Sequence, residues 1–224
     1  MTDLDKNRST AFGFLAEEMA TSISLSRFDL SAFIAKRVPI SIMHRSFESL
    51  RKIFEYQFLT VETLIDDHAV RVTGKIGRPE DGLFIDAVWV KAASSRYRDA
   101  LNERDRRAGL VEEKLPRALH VDHIVNRASL SEMHEAKQIP WVMLFAVPAQ
   151  ANTNFGNSVE RHLPKISADK GQEFLSAIHI FKLYTTDWPR NTAEFDKALD
   201  QIGAQIQRPD LIQEMDRELR PIFR

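Results

Sequence analysis

The stretch LHVDHIVNRASL, residues 119–130, places Asp122 and His123 side by side with apolar residues before and after them. Burying a charged carboxylate or imidazole costs free energy unless the charge is paired. On a solvent-exposed surface without a function, an adjacent Asp and His would serve no purpose either. The pair therefore predicts a chemical partner elsewhere in the chain. The prediction of the fold starts from this pair.

Candidate partners follow in PWVMLFAVPAQANTNFGNSVERHLP, residues 140–164. The apolar run 141–147 lies between two prolines and fits either a strand or the start of a buried helix. Behind it come Asn152 and, about three helical turns later, His162, which would share a face of one helix. The two stretches together supply Asp, His and Asn side chains, which are suited to metal-assisted hydrolysis.

These two stretches resemble a known family. HVDHIVNRASL is similar to the opening strand of the HNH (His-Me finger) nucleases, and VDHIV to that of the HNH domain in CRISPR effector nucleases. VPAQANTNFGNS resembles the second half of that motif, in which an Asn after a short turn opens a helix. The similarity covers residues 118–166. It implies that His123 is the general base and that Asp122 and Asn152 hold one Mg²⁺ or Mn²⁺ ion, with Zn²⁺ as the alternative.

The resemblance also suggests roles for residues around that centre. His162 lies where metal-binding variants of the family have a further ligand. Asn154 is the alternative metal ligand, because a slip of two residues in the comparison selects it. Arg161, Lys165 and Arg127 are the candidates for contact with nucleic-acid phosphates. The implied partner is DNA, with RNA as the alternative.

The chemistry of phosphodiester hydrolysis fits these residue types. A neutral imidazole is a suitable base near neutral pH, and a divalent cation with oxygen ligands stabilises charge on the phosphate. Adjacent side chains on a strand face opposite ways, so Asp122 and His123 serve one centre only if the chain bends or one reaches over. The chain departs from the family in lacking Cys-x-x-Cys clamps and in having the extra segment SEMHEAKQI, residues 131–139. His134 in that segment is predicted to lie on the surface.

Each candidate also has a purely structural interpretation. Asp122 and His123 could be a hydrogen-bonded pair that supports a loop, and the Asn residues could form a turn and a helix cap. His162 could be a helix-surface residue. The arginines of SSRYRDALNERDRR, residues 94–107, are interleaved with acidic residues, which predicts a salt-bridged helix face, although Arg also suits phosphate.

Composition restricts the class of protein. The chain has 224 residues, 43% hydrophobic and 28% charged, which is ordinary for a globular protein. It contains no Cys, which excludes disulfides and thiolate-bound zinc. With 31 basic and 32 acidic residues, its net charge of −1 gives no support to a generally basic nucleic-acid binder, but a local patch is enough to bind phosphates.

Hydropathy predicts the location. The polar N-terminus is not an export signal, and no apolar run approaches the roughly 20 residues of a membrane span. The prediction is a cytoplasmic protein with no membrane contact, and with a partner protein or a homo-oligomer as further partners.

The predicted fold class is α+β, mostly helical, with an embedded ββα-metal (HNH) motif. Three regions are predicted: a helical N-terminal region at 1–114, the HNH-like motif at 115–166, and a helical C-terminal region at 167–224. Helices are predicted from the 3.6-residue spacing of apolar side chains. They cover 11–19, 29–36, one or two helices within 42–64, 83–108, 173–206 and 209–223. Residues 68–76 are predicted to form a short strand or an irregular loop.

The functional hypothesis is a metal-dependent HNH-type endonuclease acting on DNA, with a role in phage defence or restriction. The alternative is a helical interaction or regulatory protein whose HNH-like segment is not catalytic. A third hypothesis, a zinc hydrolase using His120, His123 and His162, lacks the spacing of the helical zinc motif.

Overall fold

A computed structural model describes residues 29–78, 80–109, 119–125, 127–135, 137–160 and 171–224, with the side chains of 127–129 excepted. The predicted helix at 11–19 lies outside these residues. So do three of the predicted site residues, Arg161, His162 and Lys165.

Strands and helices alternate irregularly along the described chain. The strands are β1 Ser41–His44, β2 Thr60–Ile65, β3 Ala69–Ile76, β4 Leu83–Lys91, β5 Leu119–His123, β6 Trp141–Pro148 and β7 Gln172–Phe174. The α-helices are α1 Leu30–Ala35, α2 Phe47–Tyr56, α3 Tyr97–Arg107, α4 Arg127–Glu135, α5 Ala149–Ser158, α6 Ala177–Tyr184, α7 Thr192–Ile206 and α8 Pro209–Leu219, and a 3₁₀ turn, Arg220–Phe223, follows α8.

The strands form a curled, half-barrel sheet in the order β2-β3-β4-β6-β1-β7, and β5 pairs separately with β6. Each pairing is antiparallel. The prediction of a mostly helical fold is therefore wrong: the protein is α+β around a seven-stranded sheet. That sheet takes strands from each of the three predicted regions.

The helix predicted at 83–108 shows why the sheet was missed. Its first part is β4, in which 85–90 are all buried. A strand buried on both faces has a continuous apolar run, and periodicity cannot distinguish such a run from a buried helix. The second part is helical, as α3, and it ends close to Gly109, where the helix was expected to stop.

The prediction of one or two helices within 42–64 is wrong in part, for a different reason. Helix α2 is present but ends at Tyr56, where Phe58 adopts a left-handed φ of 59°. The backbone N–H of Leu59 bonds to the carbonyl of Phe54 at 2.9 Å and closes the helix end. The chain then reverses into β2, although the apolar spacing of the sequence continues without interruption.

Other predicted elements are confirmed. The helix at 29–36 is α1, and the Asp29 side chain caps it by accepting from the Ala32 backbone N–H. The region predicted at 68–76 contains strand β3, and 141–147 lie within strand β6; a strand was one of the two structures considered for each.

The core is built on β6, whose residues 141–147 are all buried. An aromatic cluster of Phe181, Trp188, Phe195 and Phe223 holds the C-terminal helices together, with ring centroids 4.7 to 6.1 Å apart. Burying each such side chain stabilises the fold by about 1.5–3 kcal/mol.

Two features position the candidate site. Strand β5 pairs with β6 from Leu119 opposite Pro148 to His123 opposite Leu144, and α5 follows β6 without a connecting loop. Helix α3 lies against β5, where the Arg98 guanidinium donates to the Leu119 carbonyl at 2.9 Å. Within the described residues, no helix has both the length and the apolar character needed to span a membrane.

Candidate functional site

Strand β5 directs Asp122 and His123 to opposite sides. Its pairing with β6 is regular through both residues, so the bend needed to bring the two side chains to one centre is not made. Both are buried, with exposed fractions of 8% for Asp122 and 7% for His123. Each side chain lines a different cavity, and Ser94 and Ser95 line both cavities.

The first cavity, of about 420 Å³, is called the Asp122 cavity. It brings Asp122 together with Asn152, two residues far apart in the sequence that were predicted to share a site. His120, which lies two positions before Asp122 on the same face of β5, completes the group, and its Nδ1 is 3.4 Å from the Asn152 side-chain nitrogen. An amide nitrogen only donates, so this contact requires Nδ1 of His120 to be unprotonated. Arg98 and Tyr97 of α3 form the opposite wall.

Beneath this cavity Asp122 is already paired with a cation. The Lys182 ammonium donates to Oδ2 of Asp122 at 2.9 Å and lies 5.0 Å from the centroid of the Phe155 ring. Lys182 is 3% exposed, so the ion pair is removed from water and each charge depends on the other. Lys182 was missed in the sequence, although a signal was present. It is the lysine in the otherwise apolar helix AIHIFKLY, where a buried charge needs an acidic partner.

A buried histidine sits one turn before this lysine. His179 accepts from the Ser176 backbone N–H at 3.1 Å and so caps the start of α6. Burial, assisted by the charge of Lys182, lowers the pKa of His179 to about 4. The ring is therefore neutral at physiological pH, and Lys182 is the cation that faces Asp122.

The described residues do not fit a divalent metal ion. Mg²⁺ and Mn²⁺ need oxygen ligands, usually with one or two carboxylates. Among the described residues that line its cavity, Asp122 is the sole carboxylate, and it is paired with Lys182. Within the described ranges there is no group of three His, Cys, Asp or Glu side chains able to hold a metal.

His123 is held in a defined tautomer on the other side of β5. Its Nδ1 is 3.1 Å from the Val125 carbonyl, and a carbonyl only accepts, so Nδ1 carries the proton. In the neutral ring the basic lone pair is then on Nε2. Tyr97 packs edge-on against the imidazole, with centroids 5.7 Å apart, and its hydroxyl donates to the Ala92 carbonyl at 2.5 Å. The arrangement suits a general base.

The second cavity, of about 730 Å³, is called the His123 cavity. It lies between the turn that follows β4, helix α4, and the residues that lead into β6. His134 of α4 is exposed, as predicted, and lines this cavity. Arg127 is the first residue of α4, and its side chain lies outside what the structure describes.

The other asparagines are not part of either lining. Asn154 is half-buried on α5, and Asn157 is exposed on the same helix. Because successive helical residues are about 100° apart, Asn154 points away from the direction of Asn152. Of the two asparagines considered as ligands, Asn152 lies beside Asp122.

Three of the five arginines in 94–107, namely Arg96, Arg106 and Arg107, belong to a salt-bridged surface, as predicted. Arg106 and Arg107 both bind Glu103, and their hydrogen bonds lower the pKa of Glu103 to about 2. Arg104 is buried and pairs with Asp105. Arg98 differs, since it bonds to β5 and lines the Asp122 cavity.

Comparisons of the chain with protein-family models, with curated proteins and with solved structures found no match. The likeness to HNH nucleases therefore rests on the residues of 118–166 alone.

Proposed function

We propose that this chain is an endonuclease that hydrolyses phosphodiester bonds in DNA, with its reaction centre along β5. The observation that carries the proposal is the order of β5, β6 and α5. The two strands pair antiparallel and the helix follows directly, which brings Asp122 and Asn152 to one cavity beside a basic arginine, Arg98. This is the chain order that the resemblance implies.

His123 is the proposed general base. With its Nδ1–H engaged by the Val125 carbonyl, Nε2 would accept a proton from the attacking water while a new P–O bond forms. The bond from phosphorus to the leaving sugar oxygen breaks, and that oxygen then takes up a proton. Guanidinium groups such as Arg98 suit stabilisation of the charge that develops on the phosphate.

His120 is the second candidate for the base. It lies in the same cavity as Asp122 and Asn152, whereas His123 faces the neighbouring one. A general base must come within hydrogen-bond reach of the attacking water, directly or through one further water. The two histidines therefore predict different positions for the scissile phosphate.

The test is cleavage of plasmid DNA, and of RNA in parallel, by the full chain. Replacement of the base, His123→Ala, is expected to lower the rate about 10²-fold or more. Asn152→Ala is expected to lower the rate, whereas Asn157→Ala, an exposed control on the same helix, should leave it unchanged. Each variant is first checked for an unchanged melting temperature.

The outcomes separate the assignments. A loss with His120→Ala and none with His123→Ala would move the base to His120 and keep the nuclease. Equal cleavage by wild type and all variants, or no cleavage by any, would contradict the proposal and favour the non-catalytic interaction protein. The buried Asp122–Lys182 pair already suits that second function, because it can serve the fold alone.

Metal dependence is examined in the same assay. The resemblance implies Mg²⁺ or Mn²⁺, with Zn²⁺ as the alternative, and each is supplied separately beside a reaction containing EDTA. Cleavage that persists in EDTA would agree with the Asp122–Lys182 pairing. Cleavage that requires Mg²⁺ or Mn²⁺ would mean that nucleic acid or residues outside the described ranges complete a metal site.

A further inference from the structure

The His123 cavity has a lining unlike that of the Asp122 cavity. Among the residues that the structure describes, fourteen line it, and none of these is a carboxylate. Two carry basic side chains, Lys91 and Arg96, and three are imidazoles, His68, His123 and His134. A cavity with basic groups and no acidic one concentrates anions.

Beside the basic residues lies an apolar wall. Leu130 of α4 and the residues Ile139 and Pro140 before β6 form it, and Pro140 adjoins Ala92. Ile139 is 56% exposed, so its side chain is accessible to a ligand. At about 730 Å³, the volume lies within the range typical of small-ligand sites.

The basic wall is held in place by backbone hydrogen bonds. The Lys91 N–H donates to the His68 carbonyl at 3.1 Å, and the Ala92 N–H donates to the Pro140 carbonyl at 2.9 Å. The Ser94 N–H closes the turn by bonding to the Lys91 carbonyl at 2.9 Å. The cavity is therefore formed before any ligand arrives, so binding need not order these residues.

The cations of this wall remain available to a ligand. Within the part of the chain that the structure describes, the Lys91 ammonium forms no ion pair. Arg96 binds Asp99 at 3.2 Å, but the two side chains are 49% and 59% exposed. An ion pair as exposed as this contributes less than about 1 kcal/mol, so a phosphate can replace the carboxylate.

We propose that the His123 cavity binds one unstacked nucleotide of a single-stranded nucleic acid. The base lies against Leu130 and Ile139, and the phosphate faces Lys91 and Arg96. The inference rests on the proposed nuclease function, because the neighbouring phosphate would then lie beside His123. A single strand is specified because the bases of a duplex are stacked inside and cannot reach the apolar wall.

The experiment measures binding of fluorescein-labelled eight-nucleotide single strands, DNA and RNA separately, to the full chain in EDTA at two salt concentrations. A labelled DNA duplex is measured in parallel. Lys91→Gln removes one cation, and Ile139→Asp places a negative charge on the apolar wall. The matched controls, Lys75→Gln and Phe84→Asp, change exposed residues that pair across β3 and β4. These controls lie about 20 Å along the strands from the cavity.

Lys91→Gln is expected to weaken binding about five- to tenfold and to reduce the slope of log Kd against log salt concentration by about one. Ile139→Asp should weaken binding at least tenfold, while both controls stay within about twofold of wild type. Comparison of the DNA and RNA strands shows which of the two nucleic acids binds more tightly.

Three results would overturn the inference: equal binding by Lys91→Gln and Lys75→Gln, equal binding by Ile139→Asp and Phe84→Asp, or a tighter complex with duplex than with single strand. Failure of the nuclease proposal is separate. It would appear as no cleavage by wild type, whatever the binding curves show. Binding that depends on Lys91 and Ile139 without cleavage would keep the nucleotide site and remove the reaction.

Discussion

The two cavities on either side of β5 differ in how their charges are compensated. In the Asp122 cavity the one carboxylate among the described lining residues is matched by the buried ammonium of Lys182. In the His123 cavity Lys91 and Arg96 belong to a lining whose described residues include no acid. A charge that is already paired stabilises the fold, whereas a charge that lacks a buried partner can bind a ligand. The alternation of one strand therefore places Asp122 and His123, which are neighbours in the sequence, in two cavities of different charge.

The largest effect is expected when the Asp122–Lys182 ion pair beneath the Asp122 cavity is broken. Lys182→Met leaves the buried Asp122 carboxylate without its cation and should lower the free energy of unfolding by about 3–5 kcal/mol. Adding Asp122→Asn should restore most of that loss, because no charge then remains buried. Urea unfolding followed by tryptophan fluorescence measures both variants. A loss below about 1 kcal/mol in the single variant would contradict the described pairing.

Manganese binding sharpens the same comparison. If the Lys182 ammonium occupies the position that a metal ion would take at Asp122, the wild-type protein should not bind Mn²⁺. The electron paramagnetic resonance signal of free Mn²⁺ should then be unchanged. Lys182→Met, which frees the carboxylate, should reduce that signal, and the Asp122→Asn double variant should not. A wild-type protein that takes up Mn²⁺ through Asp122 would favour the metal centre implied by the resemblance.

An intermediate effect is expected from pH. Burial lowers the pKa of His179, and also that of His44 in the core, to about 4, against 6.5 for an exposed imidazole. The unfolded chain therefore binds more protons than the native one between pH 6.5 and 4, so stability falls as the pH is lowered through this window. Each histidine should contribute a loss of about 1–2 kcal/mol between pH 7 and pH 5.

The contribution of each histidine can be separated by melting curves at these two pH values. His179→Gln should remove about half of the loss. His44 packs against Phe54 and Trp89 in the core, and its share should remain. An unchanged pH dependence in His179→Gln would show that this ring is not buried neutral.

The smallest effect on stability is expected from the corresponding substitution in the His123 cavity. Lys91→Met, the same substitution in the His123 cavity, should change the free energy of unfolding by no more than about 0.5 kcal/mol, because no buried partner is left behind. Its melting temperature should match that of wild type while its affinity for single strands falls. A destabilisation close to that of Lys182→Met would mean that Lys91 is a structural residue.

Local sequence signals predicted individual elements well and the sheet poorly. Asp29 marked the start of α1 and the prolines bounded β6, since caps and prolines act through nearby backbone groups. Strand β4 was read as a helix, because burial on both faces removes the alternation that identifies a strand. The turn at Phe58 carries no Gly to mark it, so the end of α2 was not visible.

For the candidate site, too, some features could be predicted from the sequence and others could not. The sequence alone determined that Asp122, His123 and Asn152 are the residues to test, since their types and spacing depend only on the order of the chain. The partnership of Asp122 with Lys182, the approach of His120 to Asn152 and the separation of His123 into its own cavity were decided by tertiary structure. Strand register and the docking of α6 fix these relations, and both arise from contacts between segments far apart in the chain.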